Sequence, residues 1–82
     1  MEHFVYILKC SDGTLYTGYT TDVERRLKEH NSSDRGAKYT RGRRPCVLVH
    51  IEQFPSKEEA LKREYFIKHK MSHEEKAALT GA

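Results

Sequence analysis

Long apolar runs are missing from this chain. The longest, Phe4 to Leu8, is five residues, where a membrane-spanning helix needs about 20. The opening Met1-Glu2-His3 has no basic leader region and runs straight into strand-like sequence, so the reading is a soluble, cytoplasmic protein with no membrane contact. Cysteine is scarce as well. Cys10 and Cys46 make neither a C-x-x-C pair nor a disulfide framework and read as ordinary half-buried thiols, with a single Cys10–Cys46 bridge as the minor alternative. Internal repeats and low-complexity segments are absent. At 82 residues there is no room for a second core, so residues 1–82 are read as one domain.

What the chain does have is unevenly spread charge. The net charge is +3, yet residues 25–44 carry eight Lys or Arg against Glu29 and Asp34, a local +6 that leaves −3 for the rest. A focused positive field gathers polyanions, and binding through phosphates falls steeply with salt. A solvated basic loop is the plainer account of such a run.

Residues 3–10 and 14–20 are short, β-branched and aromatic, and they predict two strands joined by Ser11-Asp12-Gly13. A two-residue turn would put Tyr6 and Tyr16 on opposite faces. A three-residue turn with Gly13 left-handed pairs Leu8 with Tyr16 and puts both phenols on one face; that register is favoured because it gives them a common destination. Thr21-Asp22-Val23-Glu24 reads as a capping box opening a helix to about His30, with Val23 and Leu27 inward and Arg26 beside them. Asn31 to Pro45 reads as one long loop. Cys46 to Phe54 predicts a third strand with Val47, Val49 and Ile51 on one face. Ser56-Lys57-Glu58-Glu59 opens a helix to about Lys70, and Ser72-His73-Glu74-Glu75 opens a last one through Leu79.

On the long helix, Glu64 lies about 40° from Ala60, within an apolar arc running from Ile67 and Met71 to Leu61 and Tyr65. A carboxylate there loses hydration unless a cation or partner binds it. A Glu64–Lys68 ion pair one helical turn apart is the plainer reading. Phosphodiester hydrolysis needs a positioned nucleophile, cationic charge on the phosphoryl oxygens and help for the leaving group. Arg26 suits a phosphate clamp. Glu64 suits one Mg²⁺ or Mn²⁺ ion that keeps most of its waters. Tyr16 is a candidate to accept or orient the proton of a water, with Tyr6 holding the geometry and His30 as the alternative base. Each of these residues alone has an ordinary structural explanation; the ordered set points to chemistry.

Phe4-Val5-Tyr6, then Tyr16-Thr17-Gly18, Thr20, Asp22, Arg26-Leu27, His30, Ala60, Glu64 and Ile67-Lys68 resemble the GIY-YIG nuclease domain over nearly the whole chain. The likeness is greatest to small stand-alone bacterial members, in which a stretch like Gly36 to Pro45 recurs. The resemblance implies an α+β fold, a three-stranded antiparallel sheet flanked by helices in the order β-β-α-β-α-α. It also implies metal-dependent endonuclease activity at one site, with Tyr6, Tyr16, Arg26 and His30 catalytic and Glu64 the metal ligand. Phe4 stands where the first motif glycine is expected, and Thr17 where an isoleucine is. No asparagine follows Asn31, whereas many family nucleases carry one after the metal-binding glutamate.

The cations Arg35, Lys38, Arg41, Arg43 and Arg44 are then expected to contact phosphates, with Tyr39 stacking on an unpaired base. DNA is placed ahead of RNA, with structure-selective cleavage in repair or recombination as the role and a protein partner for targeting. A nucleic-acid-binding module without useful catalysis is the alternative, favoured by the absent asparagine. A protein-interaction domain docking an acidic partner comes third, and a zinc site at His69 and His73 fourth.

Overall fold

The computed structural model describes residues 2–32 and 35–81. Strands β1 (His3–Lys9) and β2 (Leu15–Thr20) form the expected hairpin, followed by α1 (Val23–Ser32), α2 (Lys38–Arg41), β3 (Val47–Phe54), α3 (Lys57–Lys70) and α4 (His73–Leu79). The sheet is antiparallel with strand order β2-β1-β3. The predicted β-β-α-β-α-α order therefore holds, with the short α2 added. No helix among the described residues is long and apolar enough to cross a membrane.

The hairpin takes the three-residue turn. Gly13 has φ 85°, the Cys10 amide donates to the Thr14 carbonyl at 2.8 Å, and Leu8 pairs with Tyr16. Side chains alternate across a strand, so β1 divides its residues between two cores. Val5 and Ile7 pack with Ala60 and Ile67 of α3, joined by Val49, Met71 and Leu79. Tyr6, Leu8 and Cys10 pack on the other face with Cys46, Tyr16 and Leu27 of α1. The two phenols thus share the α1 face.

Several local expectations shift. The Asp22 carboxylate, one residue later than expected, caps α1 by accepting the Arg25 amide at 3.0 Å, while Thr20 Oγ1 accepts the Asp22 amide at 3.1 Å. The expected box from Thr21 to Glu24 is not the cap that forms. Nor is the segment from Asn31 to Pro45 a single loop: its first residues complete α1, and Lys38–Arg41 form α2. Gly36 lets this segment lie against α1, because a Cβ there would sit 2.6 Å from the Glu29 carbonyl oxygen. Its far end is clasped by Asn31, which donates to the Cys46 carbonyl at 2.8 Å and accepts the Cys46 amide at 2.7 Å.

A register shift in β3 opposite Ile7 and Leu8 breaks the expected face. Leu48 pairs with Leu8 and His50 with Ile7, so Val49 is the extra residue of a bulge, and Ile51 pairs with Tyr6. Val49 joins the α3-side core, whereas Val47 and Ile51 are exposed. Cys10 and Cys46 are fully buried rather than half-buried; they are free thiols with sulfurs 3.5 Å apart.

The buried arc of α3 is narrower than expected. Ala60 and Ile67 are buried, but Leu61 and Tyr65 are exposed, so Glu64 lies at the arc's edge. Ser56 caps α3 by accepting the Glu59 amide. At α4 the Ser72–Glu75 box is complete in both directions. His69 packs against Tyr65 with the rings tilted, centroids 4.5 Å apart.

Candidate active site

Tyr6 stands in the middle of the central strand, and its hydroxyl lies 2.7 Å from His30 Nε2. Gly18 pairs with Tyr6 across the hairpin, and a Cβ there would fall on the phenol oxygen. A bare backbone at Gly18 is what lets the ring lie across β2. His30, wholly buried in the last turns of α1, has Nδ1 2.9 Å from Thr40 Oγ1.

Thr40 Oγ1 also donates to the Ala37 carbonyl oxygen at 2.9 Å, and the Ala37 amide donates to His30 Nδ1 at 3.4 Å. Both ring nitrogens of His30 are therefore engaged, Nε2 by the Tyr6 hydroxyl and Nδ1 by the α2 segment. Burial pushes the His30 ring down to about 4, reinforced by the Arg26 charge, so the imidazole is neutral. Burial also drives the Tyr6 phenol well above its ordinary value, with Tyr16 adding to the shift and Arg26 partly offsetting it.

Tyr16 is half-buried beside this chain, its ring centroid 5.1 Å from His30 and 6.4 Å from Tyr6. From the other face, α3 reaches the β2 edge: Lys68 Nζ lies 5.7 Å from the Tyr16 ring centroid. The same ammonium is 3.4 Å from Glu64 Oε2, the i,i+4 pair anticipated as the plainer reading. Arg26 is held by Glu29, Nη1 to Oε1 at 3.0 Å, and by the Arg35 carbonyl. Its charge acts on both Tyr6 and His30, and that of Glu64 acts on Tyr6. The structure therefore gathers all five predicted residues, Tyr6, Tyr16, Arg26, His30 and Glu64, around one edge of the sheet.

The basic segment divides. Arg35, Lys38 and Arg41 are exposed. Arg44 turns inward, and its Nε donates to the His30 carbonyl at 2.6 Å. Arg43 binds Asp12 through Nε at 3.0 Å, and its guanidinium lies 4.1 Å from the Tyr39 ring centroid. Tyr39 stacks on Tyr16 at 5.7 Å and remains exposed.

Sequence reasoning missed Thr40, Gly18, Asn31 and Asp12 as supports of this site. Gly18 was accessible from the favoured register, which places it opposite Tyr6. Among the described residues no group of three or more His, Cys, Asp or Glu side chains converges. The Glu64 carboxylate is largely buried and partnered by Lys68, and its charge acts on Tyr6. That donor set suits a Mg²⁺-type ion, which takes one or two carboxylates and fills its shell with water and phosphate oxygen.

The chain matches the family model described as the GIY-YIG catalytic domain over residues 2–77. A UPF0213 protein of Halobacterium salinarum is 62% identical over 77 residues, covering 94% of this chain and 97% of that protein. The solution NMR structure of the UPF0213 protein BH0048 from Bacillus halodurans superposes with a TM-score of 0.62 at 58% identity, covering 99% of this chain and 84% of that one. The NMR structure of the E. faecalis protein EF2693 gives 0.63 at 49% identity, over 93% and 79% of the two chains. The family match runs from β1 into α4, and the chain belongs to the GIY-YIG family.

Proposed function

We propose that this protein is a metal-dependent endonuclease that hydrolyses nucleic-acid phosphodiester bonds. The observation that carries the reading is the hydrogen-bonded chain from Tyr6 through His30 to Thr40, set beside Tyr16, Arg26 and Glu64. One Mg²⁺ or Mn²⁺ ion on Glu64 would supply charge for the phosphoryl oxygens and the leaving group. The chain's own residues do the rest. His30 is closed to solvent, and its Nε2 is taken by the Tyr6 hydroxyl, so it acts as a positioning residue. Tyr6, its hydroxyl held by His30 and its ionisation suppressed, presents a fixed oxygen toward Arg26. Tyr16 is the phenol at the accessible edge, and it accepts or orients the proton of the attacking water. Arg26 contributes cationic stabilisation of the phosphate.

Phosphate contacts carry no sequence information, so the proposed substrates are branched, flapped or single-stranded DNA of the kind that arises in repair and recombination. A second reading, a binding module with little catalysis, is favoured by the Glu64–Lys68 pair, which must open before the carboxylate can serve a metal.

The test is cleavage of supercoiled, branched and single-stranded DNA and a small RNA panel in Mg²⁺, Mn²⁺ and EDTA, with Glu64→Ala and Tyr16→Phe alongside. The nuclease reading expects cleavage that EDTA and both substitutions abolish. Binding without cleavage would establish the second reading or a need for a targeting partner. Activity surviving Glu64→Ala would remove Glu64 from the site.

A further inference from the structure

Arg43 belongs to the basic segment, yet its side chain is bound to the β1–β2 turn. The Asp12 carboxylate is set for this contact. Oδ1 accepts from the Thr14 amide at 3.1 Å and the Thr14 hydroxyl at 2.6 Å, and Oδ2 accepts Arg43 Nε–H at 3.0 Å. The Thr14 bonds, followed by the Arg43 charge, hold the Asp12 carboxyl below its ordinary range, so it is ionised at neutral pH. Arg43 Nη1 donates to the Tyr39 carbonyl at 2.8 Å while the guanidinium covers the Tyr39 ring, and that ring stacks on Tyr16. The guanidinium is therefore one aromatic ring removed from the candidate water-activating phenol.

The Arg43 backbone is anchored independently of the side chain. Its carbonyl accepts the Ser11 amide at 2.9 Å, and its amide donates to the Thr40 carbonyl at 3.1 Å. The side chains of Arg43 and Asp12 are 39% and 44% exposed. An exposed ion pair of this kind is weak and exchanges readily for another anion. A phosphodiester oxygen offers the same charge as the carboxylate and a geometry that the guanidinium fork fits at least as well.

We propose that Arg43 is a phosphate subsite masked by Asp12, for a backbone phosphate neighbouring the scissile one. The proposal rests on the nucleic-acid reading above. When the strand enters, its phosphate takes the place of the Asp12 carboxylate on Arg43; the side chain moves, the anchored backbone does not, and the outgoing carboxylate keeps Thr14 as its partner. Asp12 thereby opposes binding.

The experiment is anisotropy titration of a fluorescein-labelled single-stranded DNA 20-mer at fixed salt with wild type, Asp12→Asn, Arg43→Gln and the double variant. Glu58→Gln, which makes the same charge change on exposed α3, is the control. Asparagine keeps an acceptor for Thr14, and thermal melts confirm folding. Asp12→Asn is expected to tighten binding about two- to fivefold, the range set by an exposed pair. The gain exceeds that of Glu58→Gln and disappears in the Arg43→Gln background. A gain that persists without Arg43, or that only equals the control, overturns the masked subsite and leaves the nucleic-acid reading standing. A wild-type protein that binds no nucleic acid overturns both.

Discussion

The centre of the site is a phenol hydrogen-bonded to a buried imidazole, and both groups are tuned by being out of water. His30 is neutral when folded because burial and the Arg26 charge lower its pKa to about 4 from the ordinary 6.5. The unfolded chain therefore binds an extra proton between these values, and stability must fall as pH drops through this window. The contribution is complete above about 6.5, and at about 1.4 kcal/mol per pKa unit its full loss by pH 4 is roughly 3 kcal/mol. Melting temperature measured from pH 8 to 4 should decline from about pH 6.5 downward. The His30 ring resonances should stay unprotonated to below pH 5, and an ordinary titration near 6.5 would refute the assignment. The two tyrosines should also separate. Tyr6→Phe leaves the buried His30 Nε2 without its partner and should cost about 1–3 kcal/mol in denaturant unfolding. Tyr16→Phe should change stability by less than about 0.5 kcal/mol. At this scale the sequence singled out Tyr6, Tyr16, Arg26, His30 and Glu64 because their types are unusual for strand and helix interiors. It missed Thr40, since a threonine between glycines carries no periodicity to mark its burial.

At the level of elements, the hairpin register was legible because the three-residue turn is built on the positive φ of Gly13. The two outer helices were legible because their Ser caps are local. Both Ser56 and Ser72 accept the amide three residues on. The bulge at Val49 was not legible. It resolves a mismatch between β1 and β3 that exists only once the strands pair, and the apolar alternation of β3 reads the same with or without it. The start of α1 was misjudged by one residue because Thr21 and Asp22 are both good caps, and the Thr20 hydroxyl decides between them by holding the Asp22 amide. Glu64 was set too deep because an apolar arc does not say which of its members the sheet covers. The complete box on α4 gives a test at this scale. Ser72→Ala removes the acceptor of the Glu75 amide and should cost about 1 kcal/mol, or some 4–8 °C in melting temperature for a domain this small. Since α4 contributes no side chain to the phenol cluster, nucleic-acid affinity should be unchanged. A lost affinity would place part of the interface on α4.

For the whole molecule, what matters is that one face of the sheet holds the phenols while the cations rise beside them from the segment between α1 and β3. The charge run alone was ambiguous between a solvated loop and an interface, and the fold decides where it sits. Arg44 and Arg43 tie the segment to α1 and the hairpin, and Arg35, Lys38 and Arg41 are exposed. A positive surface of this kind draws in polyanions. If binding is carried by phosphate contacts, log K must fall linearly with log salt. Each contact removed should flatten that slope by about 0.7 on single strands and 0.9 on duplex. Arg41→Ala should therefore weaken binding by similar factors on unrelated sequences and lower the slope by about one contact's worth. The measurement is the affinity of three oligonucleotides of different sequence at four salt concentrations, for wild type and variant. A loss confined to one sequence would mean that Arg41 reads a base rather than a phosphate. A loss with an unchanged slope would mean that it shapes the segment without touching the strand.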